Sequence, residues 1–334
     1  MGSPFKRILY IIAVGLICFT PVQRLSSQEQ NKQNNQTGIK VKGADVSART
    51  AYHDVVSYED HFIVVGSKGR IDHLNRSGDI TQTINACQYD LNCVISENRE
   101  VLAVGDKGTI LLSSDGRTFI SVESETTKDI HSVTNFDGML IASADEGILL
   151  ISKNGTLWSK LQLEIKGNIV SVTSNHSSCY GISDRGEIIS SNDGINWKIL
   201  DFNKEYSGYY KRCIFNKALM SDNRIVLAGR HEDGTPVVMF STMGNVWTER
   251  ILVYDDDQGV PNLLSNVPND IAYDPAGDQF FIACDNGEIL SLPSCTQCNE
   301  SAKISDYDLH GIICSEDLLV TVGDRFSVNV LTIR

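Results

Sequence analysis

Tyrosines and acidic residues concentrate in three long connections in the second half of the chain. Tyrosine combines an apolar ring with a hydroxyl group, which suits protein interfaces and the stacking of sugar rings. The connections 201–212, 229–236 and 254–270 are therefore the candidate binding surface. The residues that could bind there are Tyr206, Tyr209, Tyr210, Tyr254, Arg230, His231, Glu232, Asp233, Asp255, Asp256 and Asp257.

The carboxylates of these connections allow two kinds of chemistry. The run from Asp255 to Asp257 could bind calcium through hard oxygen ligands, although it lacks the alternating spacing of an EF-hand loop. Two carboxylates held about 5 to 9.5 Å apart could instead hydrolyse a glycosidic bond. A run of like charge is more often simply solvated, and no distinguishing motif accompanies either possibility. We therefore expect no catalytic residue, no metal and no cofactor, with calcium as the alternative.

One pattern recurs along the chain: an apolar run, a tight turn and a second apolar run. Its anchor, the glycine of the tight turn, stands at positions 69, 108, 147 and 186, a spacing of 39 residues. Further copies are centred on Gly234, Gly287 and Phe326, the last with Phe in place of Gly. Repetition at such a period indicates a solenoid, a propeller or an array.

Each repeat shows the alternation of β-strands, and glycine supplies the positive φ that tight hairpin turns need. Four short antiparallel strands form one blade, and a lone blade cannot bury both of its faces. The sequence therefore predicts an all-β fold, a seven-bladed β-propeller of four-stranded antiparallel blades, as a single domain over residues 38–334. Because the seventh repeat ends after its third strand, we expect residues 38–47 to supply the missing outer strand and close the ring.

Histidines and acidic residues recur shortly before the first strand of several repeats. At equivalent positions stand His53, His131 and His310, with Asn92 as the fourth, and two positions earlier Asp90, Asp129 and Asp308, with Asn168 and Asn269. We expect these side chains at the rim of the central channel, where imidazole and carboxylate groups could hold a divalent metal. We favour the alternative, in which Asp and Asn cap a tight turn and His lines a wet channel.

The N-terminus differs from the rest of the chain. Lys6 and Arg7 precede an apolar stretch, residues 8–19, and small residues follow at Ser26 and Ser27, which is typical of a secretory signal peptide over residues 1–27. The stretch is too short for a mature membrane anchor. Residues 28–37 are polar and predict a disordered leader. We expect a secreted or periplasmic monomer with no transmembrane anchor after signal removal.

Charge and cysteine content narrow the function further. A net charge of −13 argues against nucleic acid as a partner. Export would permit disulfides, and we expect two local ones, Cys87–Cys93 and Cys295–Cys298. The state of the other cysteines stays open between disulfides and buried thiols: Cys179, Cys213, Cys284 and Cys314.

The second turn of several repeats carries Ser, an acidic or amide residue, Gly and an aromatic residue. The copies are Ser113-Asp115-Gly116-Phe119, Ser152-Asn154-Gly155-Trp158 and Ser191-Asp193-Gly194-Trp197. This resembles a shortened Asp-box (BNR) repeat of sialidase-like propellers, and the strand–turn units are similar to those of the photosystem II stability/assembly factor family. The resemblance implies an exported seven-bladed propeller without known catalytic activity, whose boxes are structural. The arginines that clamp a carboxylate in sialidases have no recognisable equivalent here.

These observations favour an exported, non-catalytic propeller that binds a protein, or a glycan, through the loops of blades five and six. The acidic residues of those loops would suit a basic or mixed target surface. One alternative is a carbohydrate-active enzyme or lectin of the sialidase-like type. Another is an architectural module in a larger envelope complex.

Overall fold

The computed structural model describes residues 50–221, 224–255, 261–293 and 300–333, and almost all regular structure in them is β-strand. The strands form seven antiparallel sheets and one short hairpin. The all-β propeller predicted from the repeats is therefore confirmed. The predicted signal peptide, leader and closing strand, residues 1–27, 28–37 and 38–47, lie outside the described residues.

The strands are numbered in chain order. Blade one comprises β1 Tyr52–Tyr58, β2 His61–Gly66, β3 Arg70–Leu74 and β4 Ile80–Asn85. Blade two comprises β5 Leu91–Glu97, β6 Glu100–Gly105, β7 Thr109–Ser113 and β8 Ile120–Val122. Blade three comprises β9 Ile130–Phe136, β10 Met139–Ala144, β11 Ile148–Ser152 and β12 Trp158–Gln162. Blade four comprises β13 Ile169–Ser174, β14 Cys179–Ser183, β15 Glu187–Ser191 and β16 Lys198–Asp201.

A four-residue helix, α1 Phe202–Glu205, leads from blade four into blade five. Blade five comprises β17 Cys213–Met220, β18 Ile225–His231, β19 Pro236–Ser241 and β20 Thr248–Glu249, and the hairpin β21 Val253–Asp255 and β22 Pro261–Leu263 follows it. Blade six comprises β23 Pro268–Asp274, β24 Gln279–Cys284, β25 Glu288–Pro293 and β26 Glu300–Lys303. Blade seven contributes β27 Leu309–Ser315, β28 Leu318–Gly323 and β29 Ser327–Thr332. No helix in the described ranges is long and apolar enough to cross a membrane.

The blades form a closed ring. The inner strand of each blade contacts the inner strand of the next, and β27 of blade seven contacts β1 of blade one. Each of the seven boundaries between blades is filled by its own apolar cluster. This packing buries the second face of every sheet, which a lone sheet would expose to water.

The boundary between blades seven and one explains why Phe326 replaces the anchor glycine. Phe326 adopts a positive φ of 56°, and its ring lies 4.9 Å from the ring of Tyr52. The guanidinium of Arg70 lies 4.7 Å above the same ring and pairs with buried Asp72 at 2.6 Å. A side chain at the anchor position therefore fills the place where the chain closes the ring, and the aromatic contacts offset an unfavourable backbone conformation.

The structure does not show the predicted Cys87–Cys93 disulfide, and both residues are free thiols in it. Cys93 lies within inner strand β5 and its Sγ is directed across the blade boundary, 4.0 Å from the carbonyl oxygen of Val133. The Sγ of Cys87 donates to the carbonyl of Tyr89 instead. Burial raises the pKa of both thiols. Cys295 and Cys298 lie outside the described residues.

Three further cysteines are buried thiols, namely Cys179, Cys213 and Cys284. Burial raises the pKa of Cys179 and of Cys213 to about 12. At neutral pH such thiols stay protonated and behave as small apolar side chains.

Candidate functional site

Two kinds of connection share one face of the ring, which we call the loop face. They are the turns between the second and third strands of a blade and the connections from one blade to the next. The opposite face, the box face, carries the turns between the third and fourth strands. Since all three long connections identified in the sequence belong to the loop face, the candidate site lies there.

The first long connection is anchored by aromatic side chains. Phe202 of α1 is fully buried at the boundary of blades four and five. The rings of Tyr206 and Tyr210 stack on it at 4.8 and 6.1 Å. Their hydroxyl groups donate to the carbonyl oxygens of Asn245 and Trp247, both at 2.8 Å. Asn245 and Trp247 belong to the turn between β19 and β20, so the connection reaches from the loop face to the box-face turn of blade five. Tyr206 and Tyr210 thus hold the connection onto blade five, and both side chains are half-buried.

Tyr209 differs from its two neighbours. Its side chain is 83% exposed, more than that of any other large apolar or aromatic residue in the described ranges. Its backbone is fixed because its N–H donates to the carbonyl of Tyr206 at 2.9 Å. An exposed ring on a fixed backbone loses little conformational freedom on binding. Of the three tyrosines predicted in this connection, Tyr209 is therefore the most exposed.

The long connection 254–270 lies elsewhere on the ring. Tyr254 stands in β21 opposite Asn262 of β22, and this hairpin contacts outer strand β26 of blade six. Flanking residues Leu252 and Leu264 are buried at the boundary of blades five and six. Tyr254 therefore belongs to blade six, whereas Tyr209 stands over blades four and five. Asp255 ends β21, and Asp256 and Asp257 lie outside the described residues.

The long connection 229–236 is the enlarged turn between β18 and β19 of blade five. Arg230, Glu232 and Asp233 are exposed there. Asp233 accepts from the Lys211 ammonium at 2.6 Å and from Thr235, and these bonds lower the pKa of its carboxyl group. This exposed carboxylate is thus already engaged with a neighbouring cation.

His231 of the same turn is buried and takes part in a chain of polar contacts. Its Nδ1 lies 3.6 Å from the Sγ of Cys213 and its Nε2 lies 3.1 Å from the Oε1 of Glu249. These contacts link β17, β18 and β20 of blade five. His231, predicted to bind, therefore supports the turn from below its surface.

A cleft that the sequence analysis missed opens beside the first connection. It has a volume of about 370 Å³, and its walls include four cationic residues, two acidic residues and the ring of Tyr210. The charged residues are Lys166, Arg185, Lys204, Arg212, Glu187 and Asp201. They come from the turn of blade four and from the connections on either side of that blade. An alignment of the repeats, with each loop assigned to one face of the ring, would have placed these residues together. The net charge of the whole chain gives no indication of them.

The acidic residues predicted at the channel rim serve tight turns. Asp90 accepts the backbone N–H of Lys68 at 2.7 Å, and Asp129 accepts that of Lys107 at 2.9 Å. Asp308 accepts the N–H of Asn286 at 2.7 Å. The donors share one position, next to the anchor glycine in the turn of the preceding blade, where φ is positive. Each carboxylate therefore caps its neighbour's turn and ties two blades together.

The three rim histidines all occupy the bulged position of an inner strand. His131 Nε2 lies 2.7 Å from Asp145, and His310 Nε2 lies 2.8 Å from Asp324. The ring centroids of His53 and His310 are 6.3 Å apart, and burial lowers the pKa of His53. Two of the three histidines thus meet, at the boundary of blades seven and one. Within the described ranges no group of three His, Cys, Asp or Glu side chains is placed to hold a metal.

Inside the channel, the residue after each bulge contacts the next blade. Asp54 accepts the N–H of Val94 in blade two. Asp270 accepts the N–H of Ile312 in blade seven and the ammonium of Lys217 at 2.8 Å. Burial raises the pKa of Asp54. Burial opposes the charge of Lys217, but Asp270 and Asp54 outweigh it and raise the pKa of that ammonium. The repeat pattern in the sequence does not indicate this cluster of Asp54, Lys217 and Asp270.

The turns that carry Ser, Asp or Asn, Gly and an aromatic residue lie on the box face and bond within themselves. Asp193 accepts the backbone N–H groups of Ile195 and Asn196 at 2.9 and 2.7 Å. Asn154 accepts two N–H groups in the same way. The Nε1 of Trp197 donates to the carbonyl of Gly194. The polar side chains of these turns are thus hydrogen-bonded within their own turn.

Comparison with known proteins supports the fold. No protein-family model matches the sequence, and a search of the curated proteins gave no match. The solved structure of YCF48 bound to D1 peptide has a TM-score of 0.63 at 16% identity, covering 86% of this chain and 93% of that chain. The WD40 β-propeller domain of Doa1 has a TM-score of 0.62 at 13% identity, covering 85% and 93%. The computationally designed Ika8 protein has a TM-score of 0.59 at 12% identity, covering 86% and 98%. At these identities the chain is similar to these propellers in fold.

Proposed function

We propose that this chain is an exported, non-catalytic propeller that binds a protein partner through its loop face at blades four to six. The observation that carries the proposal is the first long connection. It is fixed to the rigid ring by Phe202, Tyr206 and Tyr210, and it presents Tyr209 beside a cleft. Rings on rigid supports are the usual anchors of protein interfaces.

Two further points favour binding over catalysis. The exposed acidic residue Asp233 is engaged by Lys211, and His231 is buried under its turn, so neither is presented as an acid or base. One solved structure of similar fold, YCF48, is described as bound to a peptide. A glycan remains the second kind of ligand that an exposed tyrosine would suit.

Alanine substitution of Tyr209 tests the proposal. Immobilised wild type and Tyr209→Ala would be compared for capture of partners from the native source, with identification by mass spectrometry. Tyr89 provides the matched control, since it is 40% exposed in the connection between blades one and two. We expect the partner to be lost with Tyr209→Ala and retained with Tyr89→Ala.

The proposal fails if both variants retain every partner of the wild type. It also fails if the wild type hydrolyses an aryl glycoside and Glu232→Gln removes that activity. In that case the chain would be a carbohydrate-active enzyme that uses the same face.

A further inference from the structure

The cleft lined by Lys166 and Arg212 contains four cationic side chains that form no ion pair within the described residues. Lys166, Arg185, Lys204 and Arg212 are all exposed, and none of them forms an ion pair within the described part of the chain. Elsewhere on the ring, Lys107 and Lys128 do pair with carboxylates. Four cations and two carboxylates share the cleft, so its side chains carry a net charge of about +2 and create a local positive potential.

The acidic residues of the same cleft are used internally. Asp201 accepts the backbone N–H of Lys204 at 3.0 Å and so caps α1. Glu187 accepts a hydrogen bond from the hydroxyl of Ser183. The cleft thus keeps a surplus of positive charge in a chain whose net charge is −13.

From this arrangement we propose that the cleft binds an acidic peptide segment of the partner, with carboxylates paired to Arg185, Lys204 and Arg212. This inference rests on the proposed function and names the partner's chemistry. Two observations favour a peptide over nucleic acid. Asp201 and Glu187 stand among the cations and would repel a continuous polyanion, and the acidic remainder of the chain opposes its approach. A peptide can place separate carboxylates opposite separate cations and lay apolar groups on the Tyr210 ring.

Fluorescence anisotropy with defined probes tests the inference. The probes are a labelled peptide of Glu and Asp spaced by Ser and Gly, the same peptide with Gln and Asn, and a single-stranded DNA of equal charge. The test variant is Arg185→Glu with Lys204→Glu. The control is Lys153→Glu with Lys160→Glu, two exposed lysines of blade three whose reversal changes the net charge equally. Circular dichroism would verify that both variants are folded.

We expect the acidic peptide to bind the wild type and the control alike, and the test variant at least about tenfold more weakly. Binding should also weaken as salt rises, since exposed charge pairs are screened. The Gln and Asn peptide should not bind. The inference is overturned if the acidic peptide fails to bind the wild type, or if DNA binds the cleft more tightly than the peptide does.

The partner captured in the Tyr209 experiment separates the two proposals. If the test variant also loses this partner, the acidic segment belongs to it. If the test variant captures the partner as well as the wild type does, the cleft inference fails and the proposed function stands. If the wild type captures no partner and binds no peptide, both fail.

Discussion

Replacing Lys217 by methionine should destabilise the ring in a pH-dependent way. The Lys217 ammonium lies 2.8 Å from Asp270 Oδ1, and it also attracts Asp54 across the channel. Methionine keeps most of the side-chain volume and removes the charge, so two carboxylates remain buried without a cation. Breaking a buried ion pair by removing one partner costs about 3 to 5 kcal/mol. Because the Lys217 side chain is 26% exposed, we expect a loss near the lower end, about 3 kcal/mol at pH 7.

The pH dependence gives the sharper test. In the wild type the pKa of Lys217 is raised. The stabilisation by its charge is therefore complete below about 10.4, the pKa of an unfolded lysine, and is lost only above that pH. The ion pair is thus constant between pH 5 and pH 8. Asp54 already has a raised pKa through burial, and loss of the cation raises it further. The stability of the variant must then fall as the pH rises from about 3.9, the pKa of an unfolded Asp, to the raised pKa of Asp54.

Urea unfolding of wild type and Lys217→Met at pH 4, 5, 6, 7 and 8 would measure this difference. The deficit of the variant should grow with pH, by up to about 1.4 kcal/mol per unit for one proton. The double variant Lys217→Met with Asp54→Asn should remove most of that slope, and Lys160→Met on the surface should show neither effect. A deficit equal at pH 4 and pH 8, or below about 1 kcal/mol throughout, would refute the reasoning about the channel.

Three other outcomes follow from the described contacts. Asp193→Ala leaves two backbone N–H groups without their acceptor and should lower the temperature of thermal unfolding, whereas Asp193→Asn should be close to the wild type. Phe326→Gly removes the ring between Tyr52 and Arg70 and should cost about 3 kcal/mol; a stabilised variant would show that backbone strain outweighs the packing. Unfolded protein without reductant should take up iodoacetamide at both Cys87 and Cys93, as peptide mass mapping would show; resistance of both would restore the disulfide.

The ring could be predicted because its determinants are local and repeated. The anchor glycines report a backbone conformation that other residues adopt at a cost, and their spacing counts the blades. The one anchor position without glycine, Phe326, could be explained only from the folded structure, in which the ring of Phe326 packs against Tyr52 and Arg70. The expected Cys87–Cys93 disulfide is not shown, and proximity in sequence says nothing of which side of a strand a thiol occupies.

The candidate site was harder to predict, since exposure of a loop side chain depends on contacts between distant segments. Phe202, Tyr206 and Tyr210 are spaced by four residues, and this spacing is a helical signal that they share one side. That signal separates the two anchoring tyrosines from Tyr209. The sequence shows no such regular spacing for the cations of the cleft. Lys166 precedes blade four and Arg212 follows it, so they come to line one cleft only in the folded ring.

Repetition itself indicates where a site can lie on such a ring. A polar residue that recurs at one position of several blades, as Asp90, Asp129 and Asp308 do, has an equivalent neighbour to bond with on every blade, so the ring uses it for its own assembly. Lys204 and Tyr209 belong to a connection without a counterpart in the other blades, so no symmetric partner is supplied for them. Their ammonium and ring therefore remain free for another molecule, and it is at this break in the repeat that binding should be sought.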